Sequence, residues 1–225
     1  MNEASKLRVN LLVGKLNSWK NRDEINPFLL DYVLSVGVKG REFLEKSSKG
    51  AVIGGYRLFQ NPEEICLCIQ YLLQYVPFDM FLEIGSAAGG TTRLLNEFLG
   101  FKKIFIVDDN SFRLKSLRRL LVPEAVEWTG NSHDPRCKEW LNSLGVSFDL
   151  VHIDGDHSYD GVTQDFEMIF PLVKKGGRII LHDIKGIEDV RLFWEDIRSG
   201  KYSKFGIVPE KEICVVCGIG IVLKV

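Results

Sequence analysis

The chain has 225 residues, 45% of them hydrophobic, and a formal net charge of −1. That supports one globular domain with a terminal extension, and it leaves no charge surplus to hold nucleic acid or an anionic lipid surface. No apolar run reaches transmembrane length, and the short apolar core near the N-terminus, interrupted by Lys15, fits an amphipathic helix better than a signal peptide; a soluble cytoplasmic protein without a membrane partner is expected.

Residues 1–55 read as a helical extension followed by a flap. "NPFLLDYVLSVGV" (26–38) has helical apolar spacing, and the Gly- and Ser-rich "KSSKGAVIGGY" reads as a linker. Residues 56–225 read as a second unit. It starts with a helix capped by Asn61, with Pro62 in the first turn, Glu63 and Glu64 suiting the positive end of its dipole, and Pro77 as its end. Strands and helices then alternate. Strands are expected at 79–85, 103–109, 125–130, 148–156 and 176–184. Helices are expected from Gly89 to Gly100, over 111–121 with Ser111 as cap, over 134–145 with Asp134 as cap, over 160–174 with a break at Pro171, and over 187–200. One or two further strands close the tail. Five strand–helix repeats give an α/β fold, a doubly wound and mostly parallel sheet.

In such sheets ligands bind at the carboxyl ends of the strands, where the strand order reverses. The loop after the first strand reads "EIGSAAGG". Its small residues admit a ligand to the backbone, and the following helix offers free N–H groups. The first two glycines, Gly85 and Gly89, are four apart, so this is not the G-x-G-x-x-G of a dinucleotide site. Glu83 just before them repels a pyrophosphate and suits a cationic ligand. Asp108 ends the second strand, 25 residues after Glu83, where an acid holds a ribose diol. A ribose, a positive centre and no phosphate describe S-adenosylmethionine.

Asp154 and Asp183 end the fourth and fifth strands in the same way, and His157 reaches the same space; an imidazole titrating near neutral pH can take a hydroxyl proton. His152, mid-strand between Val151 and Ile153, reads as a packed core residue. Asp109, Asp160 and Asp165 read as solvated or capping acids. The five cysteines suggest no disulfide framework, and Cys214 and Cys217 read as buried strand thiols.

"FLEIGSAAGGTT", "FDLVHIDGDHSYDGVTQDF" and "LVKKGGRIILHDI", in this order and spacing, resemble the class I S-adenosylmethionine-dependent methyltransferases, and among them the methyltransferase-24 group that methylates small molecules and sugars on oxygen. The resemblance runs from about Gln60 to the C-terminus. It implies a seven-stranded Rossmann-like sheet, with Glu83, Gly85, Ser86 and Gly89 along the methionine portion, Asp108 on the ribose, and Ser132 and His133 on the adenine. Catechol-type O-methyltransferases hold Mg²⁺ with an acid after strand four and an acid–amide pair after strand five. Asp154 and Asp183 match two of these ligands. Ile184 stands at the third and cannot bind metal; His182 or Asp156 is the available substitute. His157 falls where those enzymes have their general base.

The expected function is methylation of a hydroxyl on a small molecule or sugar, with Mg²⁺ as a possible assistant. No (D/N)PPY motif follows strand four, which speaks against methylation of a base amino group. Two alternatives stand beside this reading: a cofactor-binding scaffold without catalysis, and an NAD-dependent oxidoreductase, which lacks its fingerprint here.

Overall fold

The computed structural model describes residues 3–19, 23–36 and 56–225. The linker or flap read at 46–55 lies outside them. Among the described residues the helices α1 (Glu3–Ser18), α2 (Pro27–Ser35) and α3 (Pro62–Leu72) precede the sheet. The sheet region follows as β1 (Met80–Ile84), α4 (Gly90–Leu99), β2 (Lys103–Asp108), α5 (Lys115–Leu121), β3 (Val126–Thr129), α6 (Pro135–Ser143), β4 (Phe148–Ile153), α7 (Tyr159–Ile169), β5 (Val173–His182), α8 (Glu188–Arg198), β6 (Ile207–Ile213) and β7 (Ile219–Lys224).

Among the described residues seven strands form one sheet, in the order β3-β2-β1-β4-β5-β7-β6. The first five run parallel, and β7 is antiparallel to both β5 and β6. This is the doubly wound, mostly parallel fold expected from the sequence. The order reverses between β1 and β4, and that crevice is where a ligand fits.

Side chains alternate across each strand and feed two cores. Phe81, Ile106, Leu150 and Ile180 face α1, α2, α3 and α4. Leu82, Ile84, Val151, Ile153 and Leu181 face α6, α7 and α8. The central strands are buried on both faces, so they read as continuous apolar runs. The helix starts follow their caps. Asn61 accepts from the Glu63 and Glu64 amides, Asp134 from the Arg136 amide, and Ser158 from the Gly161 amide. Left-handed Gly89 and Gly100 bracket α4.

Three local expectations are corrected. Helix α5 starts at Lys115, not Ser111: Asn110 and Arg113 adopt φ of 60° and 54°, and the Asn110 side chain accepts from the Lys115 amide. Helix α3 ends at Leu72, where tighter turns from Gln74 to Tyr71 and from Tyr75 to Leu72 unwind it before Pro77 is reached. Cys214 is exposed and Cys217 half-buried in the β6–β7 turn rather than in a strand. The amides of 215–218 are committed to Glu64, which keeps them out of the ladder.

Candidate functional site

A cavity of about 390 Å³ opens at the carboxyl ends of β1, β2, β4 and β5. One wall is the loop after β1. Gly85 and Ala87 are left-handed there, with φ of 82° and 47°. The loop is stitched to both neighbouring strands: the Gly85 amide donates to the Val107 carbonyl, and the Asp154 amide donates to the Ile84 carbonyl. A Cβ at Gly85 would lie 2.1 Å from the Asp154 carbonyl oxygen. Glycine is therefore required here by the backbone leaving β4, in addition to any ligand. Ser86 lines the cavity, and its hydroxyl is buried without a protein hydrogen-bond partner, a polar atom suited to a bound group.

Asp108 lines the same cavity and is already engaged. One carboxylate oxygen accepts from the Ala87 amide at 2.7 Å; the other accepts from the Asn110 amide at 2.8 Å and pairs with Arg118 at 3.0 Å. Arg118 is 1% exposed and also donates to Glu127 and to the Ala87 carbonyl. One buried guanidinium thus locks the β1 loop to the acid after β2. Sequence reasoning missed Arg118, which lies in the helix expected over 111–121 and carries no motif.

Glu83 stands back from the cavity wall. It is buried behind the loop, where the Thr92 hydroxyl donates to one oxygen and His152 Nδ1 lies 2.8 Å from the other. His152 is buried, as the sequence suggested, with this carboxylate as its partner. Gly89 also stands back; it caps α4, and a Cβ there would meet Arg118 at 3.0 Å. Ser132 lines the cavity with Gly130 and Asn131, but His133 does not; its Nε2 lies 3.2 Å from Asp165.

Asp165 corrects the reading of a solvated acid. It is fully buried on the sheet side of α7, with a carboxylate oxygen 3.2 Å from where a Cβ on Gly155 would sit. Burial pushes its carboxyl up to about 6, against the pull of Ser132 and His133. Asp160, by contrast, is exposed in the first turn of α7. The exposed Asp109 does line the cavity. So do Arg57, Phe59 and Phe112, none of which carried a motif. The Phe59 and Phe112 rings stack at the rim, 6.1 Å apart and 18° from parallel.

The opposite wall is a cluster of acids and imidazoles. His157 Nε2 is 3.2 Å from Asp154 and 3.5 Å from Asp183. His182 Nδ1 is 3.1 Å from Asp154 and 3.2 Å from Asp183. Gln60 donates to the other Asp154 oxygen at 2.9 Å. Burial alone would raise the Asp154 carboxyl, but the His182 charge and the hydrogen bonds from His157 and His182 outweigh it and hold the group well below the usual carboxylate range. Burial works against the charged form of His182, and the Asp154 charge overcomes it, so this imidazole holds its proton well above its ordinary value. His157 is raised too, chiefly by its hydrogen bond to Asp154.

Asp154, His182 and Asp183 each offer one ligand atom within 4.8 Å of the others. Two carboxylates and an imidazole suit a divalent cation. Ile184 is buried in the core beside α8, as an apolar residue there should be. Asp156 lines the cavity, but its carboxylate accepts from the Ser158 amide, and it stands outside the three-residue group.

Residues 82–184 match the methyltransferase-24 family, described as a methyltransferase domain, so the resemblance carried by the three motifs is borne out. A curated relative, the uncharacterized protein R132 of Acanthamoeba polyphaga mimivirus, is 26% identical over 140 residues. The match spans 56% of this chain and 63% of that protein, so the chain covers less than two thirds of its length. Among solved structures, the O-methyltransferase TomG of Streptomyces achromogenes, involved in tomaymycin synthesis and bound to S-adenosylmethionine, superposes with a TM-score of 0.59 at 15% identity, over 92% of this chain and 99% of that one. The O-methyltransferase of Bacillus cereus, in complex with S-adenosylhomocysteine, gives 0.60 at 19% identity, over 86% and 96%. Among the described residues no helix is long and apolar enough to cross a membrane.

Proposed function

We propose that this methyltransferase-domain chain transfers the methyl group of S-adenosylmethionine to a hydroxyl oxygen of a small molecule or sugar. The observation that carries the reading is that one cavity joins the two walls, the β1 loop with Asp108 on one side and the Asp154–His157–His182–Asp183 cluster on the other. The cofactor supplies an electrophilic methyl on a sulfonium, which the acceptor oxygen takes in line with the departing sulfur.

The residues present fit that cofactor. Asp108 keeps a lone pair on Oδ2 for a ribose hydroxyl, and the Ser86 hydroxyl is unpartnered. Gly85, Ser86 and Ala87 expose backbone to the methionine portion, and Gly130, Asn131 and Ser132 flank the adenine side. Glu83 acts at one remove, by holding the loop through Thr92 and by orienting His152. His133 acts on the adenine side through its contact with Asp165.

On the acid wall, His157 receives the acceptor proton, and Asp154 orients the imidazole. Asp154, Asp183 and His182 would hold a divalent cation, which supplies charge that lowers the acceptor pKa. The imidazole in this set favours Mn²⁺ relative to Mg²⁺ more than an all-oxygen site would. The cavity volume and the near-zero net charge support a small acceptor over a nucleic acid. An acceptor screen reading addition of one methyl by mass, paired with calorimetry of S-adenosylhomocysteine, tests the reading. No binding of the nucleoside product by the folded chain would overturn it.

A further inference from the structure

We propose that the first turn of α3 with its flanking residue, Gln60 to Glu64, is the positioning element for both strand-end acids, Gln60 acting on Asp154 directly and Glu64 acting on Asp183 through the β6–β7 turn. The proposal rests on the functional reading above, and neither residue lies within the family-matched segment 82–184. Gln60 is 4% exposed and donates to Asp154 at 2.9 Å, filling the oxygen that the two imidazoles leave free.

Glu64 is fully buried and accepts from four successive backbone amides. Those of Val215, Val216 and Gly218 reach Oε1 at 2.8, 2.6 and 2.9 Å, and that of Cys217 reaches Oε2 at 3.3 Å. Four amides converging on one carboxylate form an anion nest made within the protein. The turn so gripped grips the next loop in turn. The Cys217 carbonyl accepts from the Lys185 and Gly186 amides at 2.8 and 2.7 Å, and the Gly218 carbonyl accepts from Ile184 at 3.3 Å. The approach is close: a Cβ at Gly218 would lie 2.9 Å from Ile184 and Lys185, and one at Gly186 would lie 3.2 Å from the Cys217 Cα. Asp183 heads this loop with φ of 61°, a left-handed conformation that an aspartate keeps only where its neighbours enforce it. The carboxylate of Glu64 and its turn are what enforce it. One helix start therefore fixes how far apart the two acids stand.

The test uses the full ¹⁵N-labelled chain and the imidazole signals of its four histidines, with Gln60→Ala, Glu64→Ala and Glu64→Asp. His157 and His182 touch the acids, so their signals are expected to shift in all three variants while that of His133 stays in place. Glu64→Gln keeps the Oε1 acceptor for three of the amides but sets an NH₂ against the Cys217 amide, so it is expected to shift the same two signals less than Glu64→Ala does. General destabilisation would lower the melting temperature without this pattern. Mn²⁺ alone, followed by water-proton relaxation, is expected to bind the variants about 10–100-fold more weakly. If the parent chain binds no Mn²⁺, the cation part of the functional reading fails and the imidazole signals still decide the positioning. Should Glu64→Ala not fold, Glu64→Asp and Gln60→Ala carry the same readout. Unshifted His157 and His182 signals in the folded variants overturn the proposal.

Discussion

The two walls of the cavity are assembled over different distances in the chain. On the cofactor wall, Asp108 reaches the Ala87 amide across 21 residues, and Arg118 reaches the Ala87 carbonyl across 31. The acid wall is held from far away, with Gln60 94 residues from Asp154 and Glu64 more than 150 from the amides it binds. A wall closed over short spans leaves a compact motif in the sequence. A wall closed over long spans leaves isolated residues that mean nothing until the sheet brings them together. The first wall should therefore fail as a unit when one member is removed, and the second should lose function before it loses its fold.

The largest expected effect is on the short-span wall. Gly85→Val places a side chain against the Asp154 carbonyl and adds strain of about 1–3 kcal/mol from the positive φ alone. Thermal unfolding should show a markedly lower midpoint, and binding of S-adenosylhomocysteine should be lost. A parent-like midpoint would refute the packing of this loop on β4. Asp108→Ala comes next. It leaves buried Arg118 with only Glu127 and a carbonyl, at a cost of roughly 3–5 kcal/mol. Denaturant unfolding and calorimetry should fall together; a loss of cofactor affinity with full stability would show that this wall, like the other, can lose function without losing its fold.

The long-span wall should behave otherwise. Once the screen provides an acceptor, His157→Ala should lower turnover about 10²-fold or more with little change in melting temperature or cofactor affinity. In the parent, the raised His157 value should move the acid limb of the rate profile above the ordinary histidine range, and the variant should lack that limb. A profile unchanged by the substitution would remove His157 as the base.

A smaller effect belongs to Asp165, beneath the boundary of the two walls. Its carboxyl sits near 6 when folded and 3.8 when free. The folded chain therefore holds this proton more tightly, and the resulting stability is complete below pH 3.8 and lost as pH rises through about 6. Asp165→Asn should flatten that slope and gain on the order of 1–3 kcal/mol over the parent above pH 6. An identical slope in denaturant titrations would contradict the buried ionisation. The smallest effect is expected from Phe59→Ala, which removes one ring of the rim stack, worth about 0.5–1.5 kcal/mol beyond area burial; thermal unfolding should show a slightly lower midpoint and calorimetry a weaker binding of S-adenosylhomocysteine, and no change in either would remove the stack from the rim.

The same division governs what the sequence revealed. Asn61 and Asp134 were legible as caps because a cap acts within three residues. The succession of strands and helices and the acids at the strand ends were legible because periodicity and motif spacing carry them. Ser111 misled because the left-handed residues on either side of it, Asn110 and Arg113, are invisible to composition. Glu83 was recognised as special, yet its carboxylate turns inward to Thr92 and His152. Glu64 looked like a helix-dipole acid. Nothing near it in the sequence points to the four amides it binds, since their approach depends on β7 lying between β5 and β6.

That inserted hairpin also settles how the sheet ends. The outer strand β6 carries Pro209, which has no amide to offer, a register break between Pro209 and Lys211, and the charges of Glu210, Lys211 and Glu212. Such an edge is a poor template for another strand. Fibrillar or edge-to-edge association through this side is disfavoured by the missing N–H of one residue and by the hydration of its charged neighbours, so a concentrated solution of the folded chain is guarded at the border where an exposed parallel strand would have been most adhesive.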